Sequence, residues 1–137
     1  MSSKRLIIAT VCCAVLLATT LSAGKKPGIT ITQVPPSDAG GPDRVGMIAG
    51  TTSGARSSEY RVVLYTHTDQ WYVQPTIASP YTTIDDKGTW QSETHLGRTY
   101  AALLVKSSYH DPQPTLSSVP NVGGEIVAVD IKQGRTP

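Results

Sequence analysis

The chain is 137 residues long and carries 12 Lys and Arg against 10 Asp and Glu, a formal net charge of +2. That length suits a single domain, and charges spread singly, without a basic stripe or an acidic run, argue against nucleic acid or anionic lipid as a partner. Phe is absent, while six Tyr, two Trp, 12 Gly and 10 Pro are present, a profile that suits turn-rich β structure better than helices.

Lys4 and Arg5 precede an apolar run from Leu6 to Ala18, and small residues follow to Ala23 and Gly24. This three-part layout reads as a secretory signal over residues 1–24, cut after Ala23 or Gly24. The apolar run falls short of the roughly 20 residues that a spanning helix needs. An uncleaved N-terminal anchor is the alternative. Cys12 and Cys13 both lie inside the apolar run, so the expected mature domain, residues 25–137, has no disulfide, thiolate ligand or cysteine nucleophile. Lys4 and Arg5 leave with the signal, which makes that domain close to neutral. The expected location is periplasmic or extracellular, with no membrane span after cleavage.

Ile29 to Val34 alternates β-branched and polar residues and predicts a strand, stopped by Pro35-Pro36. Ser37 to Asp43 is a loop by composition. Val45 to Thr52 predicts a second strand, in which Gly46 and Gly50 suggest a bulge or a close backbone approach. Tyr60 to His67 is the clearest strand, apolar on both faces from Val62 to Tyr65 as a doubly covered central strand would be. Trp71 to Gln74 is a short strand ended by Pro75. Tyr81 to Ile84 and Gly88 to Gln91 flank a turn, Asp85-Asp86-Lys87-Gly88, with Gly at its exit. Thr99 to Val105 is long enough for a helix, but the turn residues that bound it and the missing capping pattern predict a strand. His110 to Val122 is a Pro-rich loop, and Glu125 to Ile131 predicts the last strand. About eight short strands without an amphipathic helix predict an all-β, antiparallel sandwich with its core over residues 28–132.

The blocks Ile29 to Pro36, Gly46 to Gly50, Tyr60 to Tyr65, Trp71 to Pro75, Gly88-Thr89-Trp90 and Tyr100 to Val105 resemble the small immunoglobulin- or fibronectin-like β-sandwich modules of secreted bacterial proteins. Such modules often sit beside glycoside hydrolases and other exported domains. The resemblance implies a non-catalytic accessory role, with carbohydrate or a cell-surface component as ligand.

The residues themselves carry no catalytic signature. His67, His95 and His110 are far apart in sequence and never at metal-ligand spacing, and there is no nucleophile elbow, calcium loop or cofactor motif. Asp85-Asp86 reads as a solvated turn. The aromatics are the candidates for binding. On a strand Trp71 and Val73 share one face while Tyr72 and Gln74 share the other, so one of Trp71 and Tyr72 should be exposed. An exposed ring beside an amide could stack on a sugar, with Gln74, Gln91 and Arg98 as polar partners. The candidate ligand-binding set is therefore Trp71, Tyr72, Gln74, Trp90 and Arg98. Against this, Trp71 and Trp90 could fill the core of a domain without Phe. His95-Leu96-Gly97-Arg98 could be a polar rim, or a tight turn in which Gly97 supplies a positive φ. The two partner classes are a glycan and an envelope protein held through an edge strand or an apolar patch.

Overall fold

The computed structural model describes residues 25–137. The export segment lies outside the described residues. Among the described residues nine strands follow in chain order: β1 (Gly28–Gln33), β2 (Val45–Ser53), β3 (Tyr60–His67), β4 (Trp71–Gln74), β5 (Tyr81–Thr82), β6 (Thr89–His95), β7 (Thr99–Lys106), β8 (Thr115–Leu116) and β9 (Ile126–Gln133). They form two antiparallel sheets, β1-β2-β6 and β8-β4-β3-β7-β9, with β5 also paired to β3. The fold is the expected all-β sandwich. Its strand order is that of immunoglobulin-type domains: β1, β2 and β6 take the A, B and E positions, and β4, β3, β7 and β9 take C′, C, F and G.

Strand ends shift by a residue or two from the sequence expectations along most of the chain, and three differences are larger. β6 continues through Ser92 to His95, β5 keeps only two residues, and the Pro-rich stretch contains β8. β8 pairs Leu116 with Trp71 and Thr115 with Tyr72. Two residues cannot show a period, which is why composition alone reads this stretch as loop.

Alternation along β3 and β7 builds two cores, one on each face of the larger sheet. Val62, Leu64, Tyr100, Ala102 and Leu104 face the smaller sheet, where they meet Ile29, Ile31, Ile48, Ile84 and Trp90. Val63, Tyr65, Ala101, Leu103 and Val105 face outward and are covered by Tyr81, Tyr109, Leu116 and Val119. Each fully buried Val or Leu contributes about 1.5–3 kcal/mol. Arg61 helps to fasten this outer cover. Its guanidinium lies 3.7 Å over the Tyr81 ring, a cation–π contact, and Nη2 donates to the carbonyls of Ser107 (2.8 Å) and Tyr109 (3.1 Å). Tyr65 Oη adds a bond to the Gln113 carbonyl at 2.8 Å.

Gly50 lies against the ring of Trp90. A Cβ there would fall 2.1 Å from the Thr30 carbonyl oxygen and 2.4 Å from the indole. This is the close approach that the sequence suggests at Gly50. Gly97 differs from its expected role. Its φ is not positive, but a Cβ would fall 2.5 Å from the His67 carbonyl oxygen, so Gly97 is required by proximity. Tyr100 then locks the same corner. Its hydroxyl accepts the Gly97 N–H at 3.0 Å and donates to the Pro36 carbonyl at 2.8 Å. This is a tyrosine corner, the link between sheets found in sandwiches of this type.

The free edges of β1 and β9 lie against each other. Ile31 N–H donates to the Asp130 carboxylate at 2.7 Å. Beyond it, Pro36 and Arg135 form a parallel bridge, with Ser37 N–H to Arg135 O at 2.8 Å and Arg135 N–H to Pro35 O at 2.9 Å.

Candidate binding groove

β4 alternates as expected, and this places two candidate residues together. Trp71 and Val73 join the outer core, and Trp71 also packs on His67 with ring centroids 4.9 Å apart. Tyr72 and Gln74 turn to the other side, where they line a groove of about 610 Å³. That volume falls in the range of small-ligand and side-chain pockets. A cis peptide joins Gln74 to Pro75. The walls are apolar and come from separate segments: Gly41 and Pro42 before β2, Pro75 and Ile77 after β4, Leu96 after β6 and Pro114 before β8. Ile77 is 68% exposed and Tyr72 37% exposed.

The loop carrying Gly41 and Pro42 is braced locally. Asp38 accepts the Gly40 N–H at 2.8 Å and pairs with Arg44. The Arg44 hydrogen bond, aided by the Gly40 amide, holds the Asp38 carboxyl below the usual carboxylate range.

The floor is polar and ordered by one amide. Gln74 is 3% exposed. Its Oε1 accepts the His95 backbone N–H at 2.9 Å and lies 3.0 Å from His95 Nδ1. A backbone N–H can only donate, so this end of the amide must be the oxygen. The oxygen can only accept, so Nδ1 must carry a proton. In the neutral imidazole Nε2 is then a bare acceptor. Beside it, Thr94 Oγ1 donates to the His95 carbonyl at 3.0 Å, and Thr66 Oγ1 lies 2.9 Å from Thr94 Oγ1. With the Thr94 proton so used, Thr66 donates to Thr94.

At the rim, Tyr72 Oη donates to Asp69 Oδ1 at 2.9 Å and Thr68 Oγ1 donates to the same oxygen at 3.1 Å. The Tyr72 hydrogen bond, then that of Thr68, lowers the Asp69 pKa, and the same contact raises that of the Tyr72 hydroxyl.

The other candidates lie elsewhere. Trp90 is 3% exposed within the core between the sheets, and its indole N–H has no acceptor among the described residues. It borders a second, more polar hollow of about 530 Å³ with Thr51, Asp85, Thr89 and Gln91. Arg98 is exposed and does not line the groove. Its backbone serves the corner, donating N–H to His67 O at 2.9 Å and accepting from Gly134 N–H at 2.7 Å. The groove therefore unites Tyr72 and Gln74 with His95, and leaves Trp71, Trp90 and Arg98 outside. Among the described residues no group of three or more His, Cys, Asp or Glu could hold a metal ion.

The sequence marks none of Pro42, Pro75, Pro114 and Ile77 as a site residue, and Pro75 figures there only as the end of a strand. The only trace of them is the density of proline in the turns, which does not say that three turns converge. Comparisons with protein-family models, curated proteins and solved structures found no match.

Proposed function

We propose that this protein is an exported, non-catalytic binding module that holds a segment of a partner protein in the groove beside β4. The observation that carries this reading is the groove itself, an apolar concavity walled by prolines, with Tyr72 and Ile77 exposed at its rim. Exposed apolar side chains around a concavity are a common mark of a binding site. A glycan is less well supported, because stacking favours a broad aromatic platform. Of Trp71, Tyr72 and Trp90, only Tyr72 is exposed. Export to the periplasm or the exterior follows from the signal-like N-terminus and belongs to the same proposal.

The test uses a photo-crosslinking residue in place of Ile77, with the same residue in place of exposed Arg98 as the off-groove control. Protein adducts at position 77 that are lost on Tyr72→Ala, and absent at position 98, support the reading. A glycan array is read in parallel. Glycan retention abolished by Tyr72→Ala in a folded variant, without protein adducts, replaces the protein partner with a sugar.

A further inference from the structure

We infer that the partner segment, on the reading just proposed, anchors in the groove through a lysine side chain. The argument is one of complementarity in charge and in donors. No Lys or Arg lines the groove. Asp69, bonded to the two lining residues Tyr72 and Thr68, is the carboxylate at its rim, and no ion pair engages it among the described residues. The protons nearest to it are already committed: Tyr72 and Thr68 both donate to Asp69, and Thr66 donates to Thr94. Gln74 turns its oxygen to His95 and leaves His95 Nε2 a lone pair. This side of the groove thus offers acceptors: a carboxylate, hydroxyl lone pairs and an imidazole nitrogen. Two further hydroxyls line the groove: Thr76 Oγ1 accepts the Ser79 N–H at 3.0 Å and keeps its own proton, and Thr115 stands beside Tyr72 across the β4–β8 pair.

A ligand that matches this lining supplies donors, positive charge and an apolar stem. A lysine side chain has all three: four methylenes to lie along the proline walls and an ammonium with three donors. The exposed ring of Tyr72 adds a face for the cation next to the carboxylate. A glutamate or aspartate anchor would meet Asp69 as a like charge and find few donors.

The test uses capped Pro-Lys-Pro tripeptides, in which the prolines keep the backbone extended. Companion peptides carry Nε-acetyl-lysine, norleucine or glutamate in place of the lysine. Binding is followed by the NMR shifts of the Tyr72 and His95 amides and the Gln74 side-chain amide. The lysine peptide is expected to shift all three, and its affinity to fall about two- to fivefold on Asp69→Asn, on acetylation, or in high salt. Asn keeps an oxygen for the Tyr72 hydroxyl, so the rim stays intact. Equal affinity for the lysine, acetyl-lysine and norleucine peptides, or preference for glutamate, overturns the inference while the groove reading stands. No shift with any of the four peptides overturns both.

Discussion

Gln74 Oε1 takes both the backbone N–H of His95, at 2.9 Å, and its ring nitrogen Nδ1, at 3.0 Å. One buried amide thereby ties the end of β4 to the end of β6, across the gap between the two sheets. Replacing Gln74 with Leu leaves the His95 N–H without an acceptor in a desolvated place, at a cost of about 1–3 kcal/mol. Urea unfolding measures the loss. Nitrogen NMR of the imidazole supplies the second readout, with Nδ1–H and unprotonated Nε2 expected in the neutral ring of the native protein. An Nε2–H tautomer would refute the assigned orientation of the amide.

Tyr100→Phe removes the hydroxyl that serves Gly97 and Pro36 and leaves the ring in place. The Gly97 N–H, buried with its residue, loses its partner. A destabilisation of about 1–3 kcal/mol is expected in denaturant titration. A change within experimental error would mean that the corner is held without Tyr100.

Gly50→Ala drives a methyl group into the Thr30 carbonyl and the Trp90 ring. Both neighbours are fixed, one by strand pairing and the other by the core, so the cost should sit at the upper end of the overpacking range of about 1–3 kcal/mol, or beyond it. Gly123→Ala is the control, because nothing lies within 4 Å of its Cβ position. Thermal melts of the pair separate a steric effect from a general intolerance of alanine.

Stability should fall at both ends of the pH scale. Asp38, Asp69 and Asp85 have lowered pKa values, Asp85 chiefly through its Thr89 hydroxyl and amide bonds. Carboxylates of this kind stabilise the fold above their unfolded value of about 4, and that contribution disappears as the pH falls through the depressed folded value. Asp85→Asn should flatten the acid limb of a plot of urea midpoint against pH. Tyr65, Tyr100 and Tyr109 shift upward, in each case mainly because burial disfavours the phenolate. Their contribution is complete below an unfolded value of about 10 and is lost as the pH rises through the raised folded value. Ultraviolet titration of the phenolates should therefore show a late, unfolding-linked phase.

Much of the sandwich was legible because its central strands carry apolar residues on both faces. Val62 to Tyr65 could only belong to a strand covered twice, and the larger sheet covers β3 in that way. Period two alone also separates Trp71 from Tyr72. The groove was not legible in the same way. Its walls are prolines from three turns that meet only through the topology, and no local pattern relates Pro42 to Pro75 or Pro114. His95 and Arg98 illustrate the same limit. They are three residues apart, yet the tight passage at Gly97 leaves His95 in the groove and Arg98 outside it. A glycine needed for left-handed backbone and one needed for proximity are identical in a sequence.

The contact between β1 and β9 has a mechanical consequence. The bridge from Pro36 to Arg135 is parallel, so the chain enters β1 at one pole of the sandwich and leaves β9 at the other. Tension between those poles acts along the two strands and across the bonds that join them: Ile31 to Asp130, Ser37 to Arg135, and Arg135 to Pro35. Loaded in shear, such bonds share the force and must yield together. A hairpin pulled from its open end would surrender them one after another. The seam thus sets these bonds in shear, not in series, for any pull that separates its two ends.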